Sequence, residues 1–546
     1  MAKLYKKYVN ETVDGKGRLK NITFNVPEDF NFGFDVVDEL ARKSPDKKAM
    51  VWLSRNKEEK IFTFGDISAY SNKTANYFYK NGIRKGDKVM LVLKRRYQFW
   101  FAIIALHKLG AVVIPATYQL MEKDFRYRFE AAGVKAVVCA DDDGLCNEVE
   151  KAATKYGKLH FMSVTGDYRD GWSSFDKEIE KESSVFTPAA GQRPSADDDM
   201  LMYFTSGTTG YPKIATHSNK YPIGHIVTAV WWHDVRENGL HFTISDTGWG
   251  KAAWGKLYGQ WFAEECVFTY DFDRFHAEDI LPLFAKYNIT TFCAPPTMYR
   301  LFIKEDLSKY DLSSLQHCTI AGEALNPEVF KQFYNATGIK LMEGFGQTET
   351  TLTVANLKGN EPKPGSMGLP NPQYDVDIVD KNGVSVENGV IGEIVLHTDR
   401  EQIGLFKRYY GEEKFTTDVW HDGLYHTGDT AWRDNDGYLW YVGRIDDIIK
   451  SSGYRIGPFE IESVIMEYPN VLEVAVTGVP DAVRGMVVKA TIVLTKGNVG
   501  SPELAKDIQN YVKVHTAPYK YPRIVEFVDE LPKTISGKIR RTELRK

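Results

Sequence analysis

Cysteine is scarce. Cys139, Cys146, Cys266, Cys293 and Cys318 are the only five among 546 residues, and no two form a C-x-x-C pair. This excludes a disulfide framework and a cysteine zinc site, and leads to the expectation of reduced, buried thiols in a cytoplasmic protein. Hydrolase and protease signatures are missing as well: there is no H-E-x-x-H and no G-x-S-x-G. Nor is there an excess of charge of one sign. Lys and Arg number 69 against 73 Asp and Glu, a formal net charge of −4, so nothing points to nucleic acid or to a membrane surface. Long hydrophobic runs are absent too. The run at 99–106 ends at His107-Lys108 and is too short to span a bilayer. The opening Met-Ala-Lys-Leu-Tyr-Lys-Lys has no apolar core of a signal peptide, which keeps a cytoplasmic location as the expectation. No internal repeat or low-complexity tract is visible. What remains is an ordinary globular composition, 43% hydrophobic and 26% charged, long enough for three or four domain-sized units.

The pattern along the chain alternates between helix and strand periods. Residues 34–44 and 62–81 carry apolar positions at helical spacing after an N-terminal lead. Strands at 89–93, 111–114 and 136–139 then alternate with helices at 98–109 and 125–132. This predicts a parallel sheet with helices on its faces. Residues 141–200 are polar with weak periodicity and read as a surface excursion. The α/β texture resumes with a helix at 279–287 and strands at 290–293 and 315–320. From 375 to 441, short alternating strands between Gly, Asn and Asp turns predict a smaller antiparallel unit. Beyond Gly443-Arg-Ile-Asp-Asp447 comes an α+β unit of about a hundred residues, a common domain size.

The stretch around which the chain is organised is Tyr203-Phe-Thr-Ser-Gly-Thr-Thr-Gly-Tyr-Pro-Lys213. A strand ends in six small or hydroxyl residues, Thr205, Ser206, Gly207, Thr208, Thr209 and Gly210, followed by Lys213. Glycines permit a tight turn and close backbone approach; hydroxyls, N–H groups and a lysine suit phosphate oxygens. This is a candidate phosphate loop, although the G-x-x-x-x-G-K-[ST] spacing is absent.

Further stretches follow in order: Glu343-Gly-Phe-Gly-Gln-Thr-Glu349, Tyr425-His-Thr-Gly-Asp429, Gly443-Arg-Ile-Asp-Asp447, Lys450-Ser-Ser-Gly-Tyr-Arg455 and Pro532-Lys-Thr-Ile-Ser-Gly-Lys538. Together they resemble the adenylate-forming superfamily of acyl-CoA synthetases, adenylation domains and luciferases, across nearly the whole chain. Phe34-Asp-Val-Val-Asp38 and Thr516-Ala-Pro-Tyr-Lys-Tyr-Pro522 are most similar to the medium-chain acyl-CoA synthetases. The resemblance implies an α/β fold. A large N-terminal domain (1–445) of parallel α/β sheets plus a small β unit would be followed by a small mobile α+β lid (446–546) hinged at Asp446.

It also implies ATP and CoA as co-substrates with Mg²⁺, a small carboxylate as the third substrate, and no nucleic-acid partner or membrane span; a homodimer is compatible with it. The 205–213 loop would hold the β- and γ-phosphates. Gly322, Glu323 and Ala324 would run along the adenine edge. Glu343, Gly344, Phe345, Gly346 and Gln347 would complete the nucleotide site, with Phe345 as a flat apolar face for adenine. Thr348 would sit at the α-phosphate and Glu349 would hold Mg²⁺. Asp429 would accept both ribose hydroxyls, a role that suits two acceptor oxygens at a turn. Arg444 would bind the ribose or phosphate side. Lys538 would bridge the carboxylate and α-phosphate in the first half-reaction.

Rotation about Asp446 would then withdraw Lys538 and bring in Ser452, Gly453 and Tyr454, with Arg455 meeting the AMP phosphate or the acyl group. Arg484, Lys513 and Arg523 match CoA-contact positions. Acetate-specific relatives carry a tryptophan where this chain has Gly346, so an acyl pocket open to more than two carbons is expected. Trp249, Gly250, Lys251, Trp254 and Cys293 would line it, with Lys251 facing either inward or into solvent. The expected substrates are short-to-medium-chain, branched or aromatic acids. Two other readings stay open: an enzyme loading the phosphopantetheine of a carrier protein, and a nucleotide-binding protein without catalysis.

Overall fold

The computed structural model describes residues 3–205, 211–452, 454–534 and 538–545. Two large sheets dominate it. In the first, Lys88–Val92 is flanked in parallel by Val112–Pro115 and Val134–Cys139, and Phe161–Val164 extends it in parallel. Asp199–Thr205 joins the other edge in parallel, and Lys213–Ser218 turns back antiparallel to it. The second sheet runs in parallel through Lys48–Leu53, Cys266–Tyr270, Leu240–Thr243, Thr291–Ala294, His317–Ile320 and Leu341–Gly346. Antiparallel strands finish it at both ends, Glu59–Thr63 at one and Leu352–Ala355 followed by Leu369–Pro370 at the other. The parallel strands are runs of Val, Ile, Leu, Met and Phe because both faces are covered.

The helix Gln98–Leu109 is buried along its whole length. The Trp100 indole ties it to the Lys256 carbonyl beneath the second sheet at 2.8 Å. The helix Phe64–Lys80 starts at a capping box, with Thr63 and Asp66 each bonded to the other's backbone N–H. The antiparallel unit comprises Val376–Val379, Gly392–His397, Leu424–Arg433, Trp420–His421 and Leu439–Arg444. A small C-terminal α+β domain follows. Its core strands Val471–Asp481 and Gly485–Leu494 pair along their length, backed by helices Pro458–Met466 and Pro502–His515.

Two expectations are corrected. Residues 141–200 are no mere surface excursion. They contain the helix Asp143–Tyr156 and the strand Phe161–Val164, which widen the first sheet. The helix hides its apolar face in only four positions, Leu145, Cys146, Val149 and Ala152, and the strand has four residues; both signals are short enough to be missed. The N-terminal lead likewise forms a hairpin, Val9–Val13 with Leu19–Phe24, ahead of the helical segments Gly33–Asp38 and Glu39–Lys43. The sheets are also mixed at their edges rather than parallel throughout. All five cysteines are buried and unpaired. Among the described residues no helix is long and apolar enough to cross a membrane.

Candidate active site

The carboxyl end of Leu341–Gly346 delivers the 343–349 motif to the mouth of the second sheet, where the antiparallel unit meets it. Asp429 and Arg444 are direct cross-strand partners there. Asp429 is buried, and both oxygens of its carboxylate accept hydrogen bonds. Oδ2 accepts from Gln347 Nε2 at 2.5 Å and from Arg444 Nη1 at 3.2 Å, and Oδ1 accepts from Tyr441 Oη at 3.1 Å. Burial pushes this carboxyl above its ordinary range; Arg444, Gln347, Tyr441 and the charge of Lys538 pull it back. Gln347 is itself fixed, accepting from Tyr425 Oη at 2.7 Å and donating to the Thr427 carbonyl at 2.8 Å. Gly428 has φ +71°, and a Cβ there would lie 2.8 Å from Arg444 Nη2. Both the turn and the guanidinium therefore require glycine. The Phe345 ring stands 6.2 Å from that of Tyr441.

Glu349 accepts from Tyr409 Oη at 2.6 Å, and its carbonyl accepts from Phe406 N at 2.7 Å. The Thr348 carbonyl accepts from His217 Nε2 at 2.8 Å, a ring that burial holds neutral by pulling it down to about 4. Thr205 faces Lys213 across the hairpin, and Lys213 Nζ lies 4.8 Å from the Tyr409 ring. Ser206, Gly207, Thr208, Thr209 and Gly210 lie outside the described residues, as does Gly453. Glu343 is buried. Its Oε1 accepts from Leu325 N at 3.1 Å and its Oε2 has no hydrogen-bond partner, while burial pushes it up to about 8. It therefore holds the segment after Gly322, Glu323 and Ala324. Glu323 in turn accepts from Thr297 at 3.5 Å and faces Arg300 at 3.6 Å.

The acyl-pocket candidates gather on the helix Gly250–Gly255 and the strand ends facing it. Trp254 is buried against Trp232 and His225. A Cβ on Gly346 would lie 2.3 Å from the Thr351 carbonyl oxygen and 2.6 Å from Trp254 Cη2. Backbone on one side and the Trp254 ring on the other thus fill the space beside the glycine. Lys251 turns inward. It donates to the Ala321 carbonyl at 2.6 Å, and burial lowers its ammonium despite the nearby Cys293 and Glu323. Cys293 is buried at the end of its strand. Trp249 caps the helix on its N-terminal side, its indole nitrogen buried without a partner.

The C-terminal domain docks through Pro458–Met466, where Phe459 packs edge-on to Tyr441 and Asn326 donates to the Ser463 carbonyl at 3.1 Å. In this orientation the charge of Lys538 acts on Asp429. Lys538 itself is exposed, its backbone closed onto Thr534. Arg455 is exposed on Tyr454–Ile456. Of the CoA candidates, Arg484 donates to Ser452 Oγ at 3.2 Å, and Tyr454 stacks on Tyr519 at 4.0 Å. Lys513 and Arg523 flank the Tyr521 ring at 4.1 and 4.8 Å. Gln347, Asp429 and Arg444 therefore form one connected network; Glu323, Glu343, Arg455 and Lys538 stand outside it, and the CoA candidates form two surface groups. Sequence reasoning missed the tyrosines that hold the network, Tyr409, Tyr425 and Tyr441, along with His217. Tyr425 opens a quoted motif and Tyr441 lies two residues before another, so strand alternation would have pointed to them.

The profile of the AMP-binding enzyme family matches residues 37–410, and that of the AMP-binding enzyme C-terminal domain matches 460–538. The mitochondrial acyl-coenzyme A synthetase ACSM3 of Mus musculus is 40% identical, with 100% of this chain and 96% of that protein covered. The mitochondrial ACSM4 of Rattus norvegicus is also 40% identical, over 98% of this chain and 93% of that protein. The crystal structure of the anthranilate CoA ligase AuaEII with anthranoyl-AMP superposes with a TM-score of 0.86 at 27% identity, covering 95% of this chain and 97% of that one.

Proposed function

The chain belongs to the AMP-binding enzymes and, within them, to the ATP-dependent acyl-CoA synthetases of the medium-chain type; from that membership we propose how its residues divide the reaction. A carboxylate oxygen attacks the α-phosphorus of ATP and pyrophosphate leaves. The sulfur of CoA, its proton lost, then attacks the acyl carbon and AMP leaves with the P–O bond intact. The first step needs a fixed nucleotide and charge stabilisation at phosphorus. Asp429 accepts the ribose hydroxyls, Arg444 flanks the ribose, and Phe345 backs adenine. Glu343, protonated at neutral pH by its burial, presents both a donor and an acceptor at the adenine edge. Thr348 and Lys538 meet the α-phosphate, and the 205–213 loop holds the other two.

Glu349 suits magnesium. Among the described residues no group of three carboxylate, His or Cys side chains gathers. A single carboxylate with phosphates and waters is the donor set that Mg²⁺ takes. Bound there, Mg²⁺ supplies neutralisation of phosphate charge. For the second step, Lys538 withdraws as residues 446–546 turn about Asp446. Ser452, Gly453 and Tyr454 then line the thiol path, Arg455 faces AMP, and Arg484, Lys513 and Arg523 hold the CoA phosphates. Trp254 and the inward Lys251 make the acyl pocket short, which favours compact, branched or aromatic acids over long chains.

The observation that carries this reading is the convergence on Asp429 of Gln347 and Arg444, from two separated motifs. ATP–pyrophosphate exchange over a carboxylate panel, followed by thioester formation with free CoA, tests it. Exchange without transfer to free CoA would instead select a carrier-protein substrate, and no exchange at all would select a non-catalytic binder. A cytoplasmic location and a homodimer complete the proposal. Cell fractionation and light scattering address them.

A further inference from the structure

After Lys538 the chain does not trail off. Thr534 N and Lys538 N bond across the loop, and Arg540 N donates to the Pro532 carbonyl at 2.8 Å. Arg541 then enters the seam between the domains. Its Nη2 reaches both oxygens of Glu462, at 2.7 and 2.8 Å, and its Nη1 stands 3.9 Å from Asp447 Oδ2. Arg545 closes the circuit, donating to Asp447 Oδ1 at 2.5 Å and to the Asp446 carbonyl at 2.8 Å. Glu462 is largely buried on the docking helix and also accepts from Val476 N at 2.8 Å. The Leu544 carbonyl accepts from Thr477 Oγ1 at 3.4 Å.

Glu462 and Asp447 are thus two anchors, one on the helix that packs against Tyr441 and one beside the hinge candidate. Both are gripped by guanidiniums three and seven residues past Lys538. Arginine is required for this, because a planar fork fixes direction as well as charge. We propose that Arg541 and Arg545 are positioning residues for adenylation: through Glu462 and Asp447 they lock the Lys538 loop to the hinge, so that turning the hinge sets where Lys538 stands. The proposal rests on the role given to Lys538 above. It adds that the terminal residues, which touch no substrate, determine the placement of that lysine. A misplacement of about 1 Å at a reacting group can cost about a hundredfold in rate.

The test separates the half-reactions in full-length enzyme, for Arg541→Lys, Arg545→Ala and Lys538→Ala side by side. Arg541→Lys keeps the charge over buried Glu462, and Arg545 is the more exposed of the pair, so both variants should fold. ATP–pyrophosphate exchange should fall about tenfold or more in each. Thioester formation from supplied acyl-adenylate and free CoA should stay within about twofold, because Lys538 has no part in it. If Lys538→Ala abolishes exchange while Arg541→Lys and Arg545→Ala leave it unchanged, the positioning role is wrong and the Lys538 reading stands. If both half-reactions fall together in the arginine variants, the circuit serves only general stability and the proposal also fails. If Lys538→Ala retains exchange, the underlying reading itself is lost.

Discussion

Asp429 and Lys538 are charged groups in one candidate site, held in opposite ways. Asp429 is buried, and its two oxygens accept from three side chains, two on the strand Leu439–Arg444 and one in the 343–349 motif. Lys538 is exposed, and the bonds that place it run through its backbone and the residues after it. In the proposed roles, a group that holds the ribose through both half-reactions can be over-determined. One that enters for a single step and leaves cannot, because every partner it gained would have to be released. The proposed site thus pairs a rigid seat in the large domain with a cation carried on the small one.

Lys538→Ala should show this division most strongly. Adenylation should fall by at least about a hundredfold, the scale for removing one preorganised charge stabiliser. Transfer from a supplied acyl-adenylate to CoA should survive; equal loss in both steps would dissolve the contrast between seat and visitor. Asp446→Pro attacks the contrast from the other side. Proline fixes φ near −65°, and the present orientation already brings the charge of Lys538 onto Asp429. Pyrophosphate exchange should persist while CoA transfer drops about tenfold or more, the scale of a misplaced reacting group. Unchanged turnover would remove Asp446 from the hinge.

Motif residues were legible because each motif names its own chemistry at short range. Asp429 in Thr-Gly-Asp and Glu349 in Gln-Thr-Glu were picked out by their motifs, and the structure gives each a tyrosine hydroxyl as partner. What holds them was not legible. Tyr409 reaches Glu349 across 60 residues of sequence and Tyr425 reaches Gln347 across 78, distances over which no local period speaks. The acyl pocket shows the same limit. Gly346 and Trp254 were both expected at the pocket, but that the ring lies directly against the glycine depends on packing between distant segments and could not be read from the sequence. Residues 141–200 escaped for a simpler reason: a four-residue strand leaves too little pattern.

The buried seat should also carry a pH signature. Burial holds Glu343 at about 8, from an ordinary 4.5. Between those values the folded protein binds a proton that the unfolded chain has lost, so stability is full below about 4.5 and falls as pH rises through 8. The size is of order a few kcal/mol at most, a shift of a few degrees or less in a chain this long. Glu343→Gln should remove the decline between pH 5 and 8 in thermal melts. A wild-type Tm that rises over that window, with no difference in the variant, would show the carboxyl ionised and otherwise paired.

The smallest effect sharpens the comparison within the rigid half, at the acyl wall. The Trp254 ring lies where a side chain on Gly346 would go, 2.6 Å from its Cβ position. Gly346→Trp alone should therefore strain the pocket rather than merely shorten it, and lower Tm along with activity, since overpacking a core costs about 1–3 kcal/mol. Trp254→Leu should do the reverse. It removes the ring but keeps the site apolar, and frees room beneath the inward Lys251. Each further methylene accommodated is worth about 0.8 kcal/mol, roughly fourfold in kcat/KM for the longer acid. Preference should then move from compact acids toward straight chains one or two carbons longer, with KM for ATP unchanged because Asp429 and Gln347 are untouched. Trp254→Leu should not rescue Gly346→Trp, because the Thr351 carbonyl oxygen, 2.3 Å from the Cβ position, stays where it is. If Trp254→Leu leaves the chain-length profile flat, the ring does not bound the acyl group, and the wall must be sought at Lys251 and Cys293 instead.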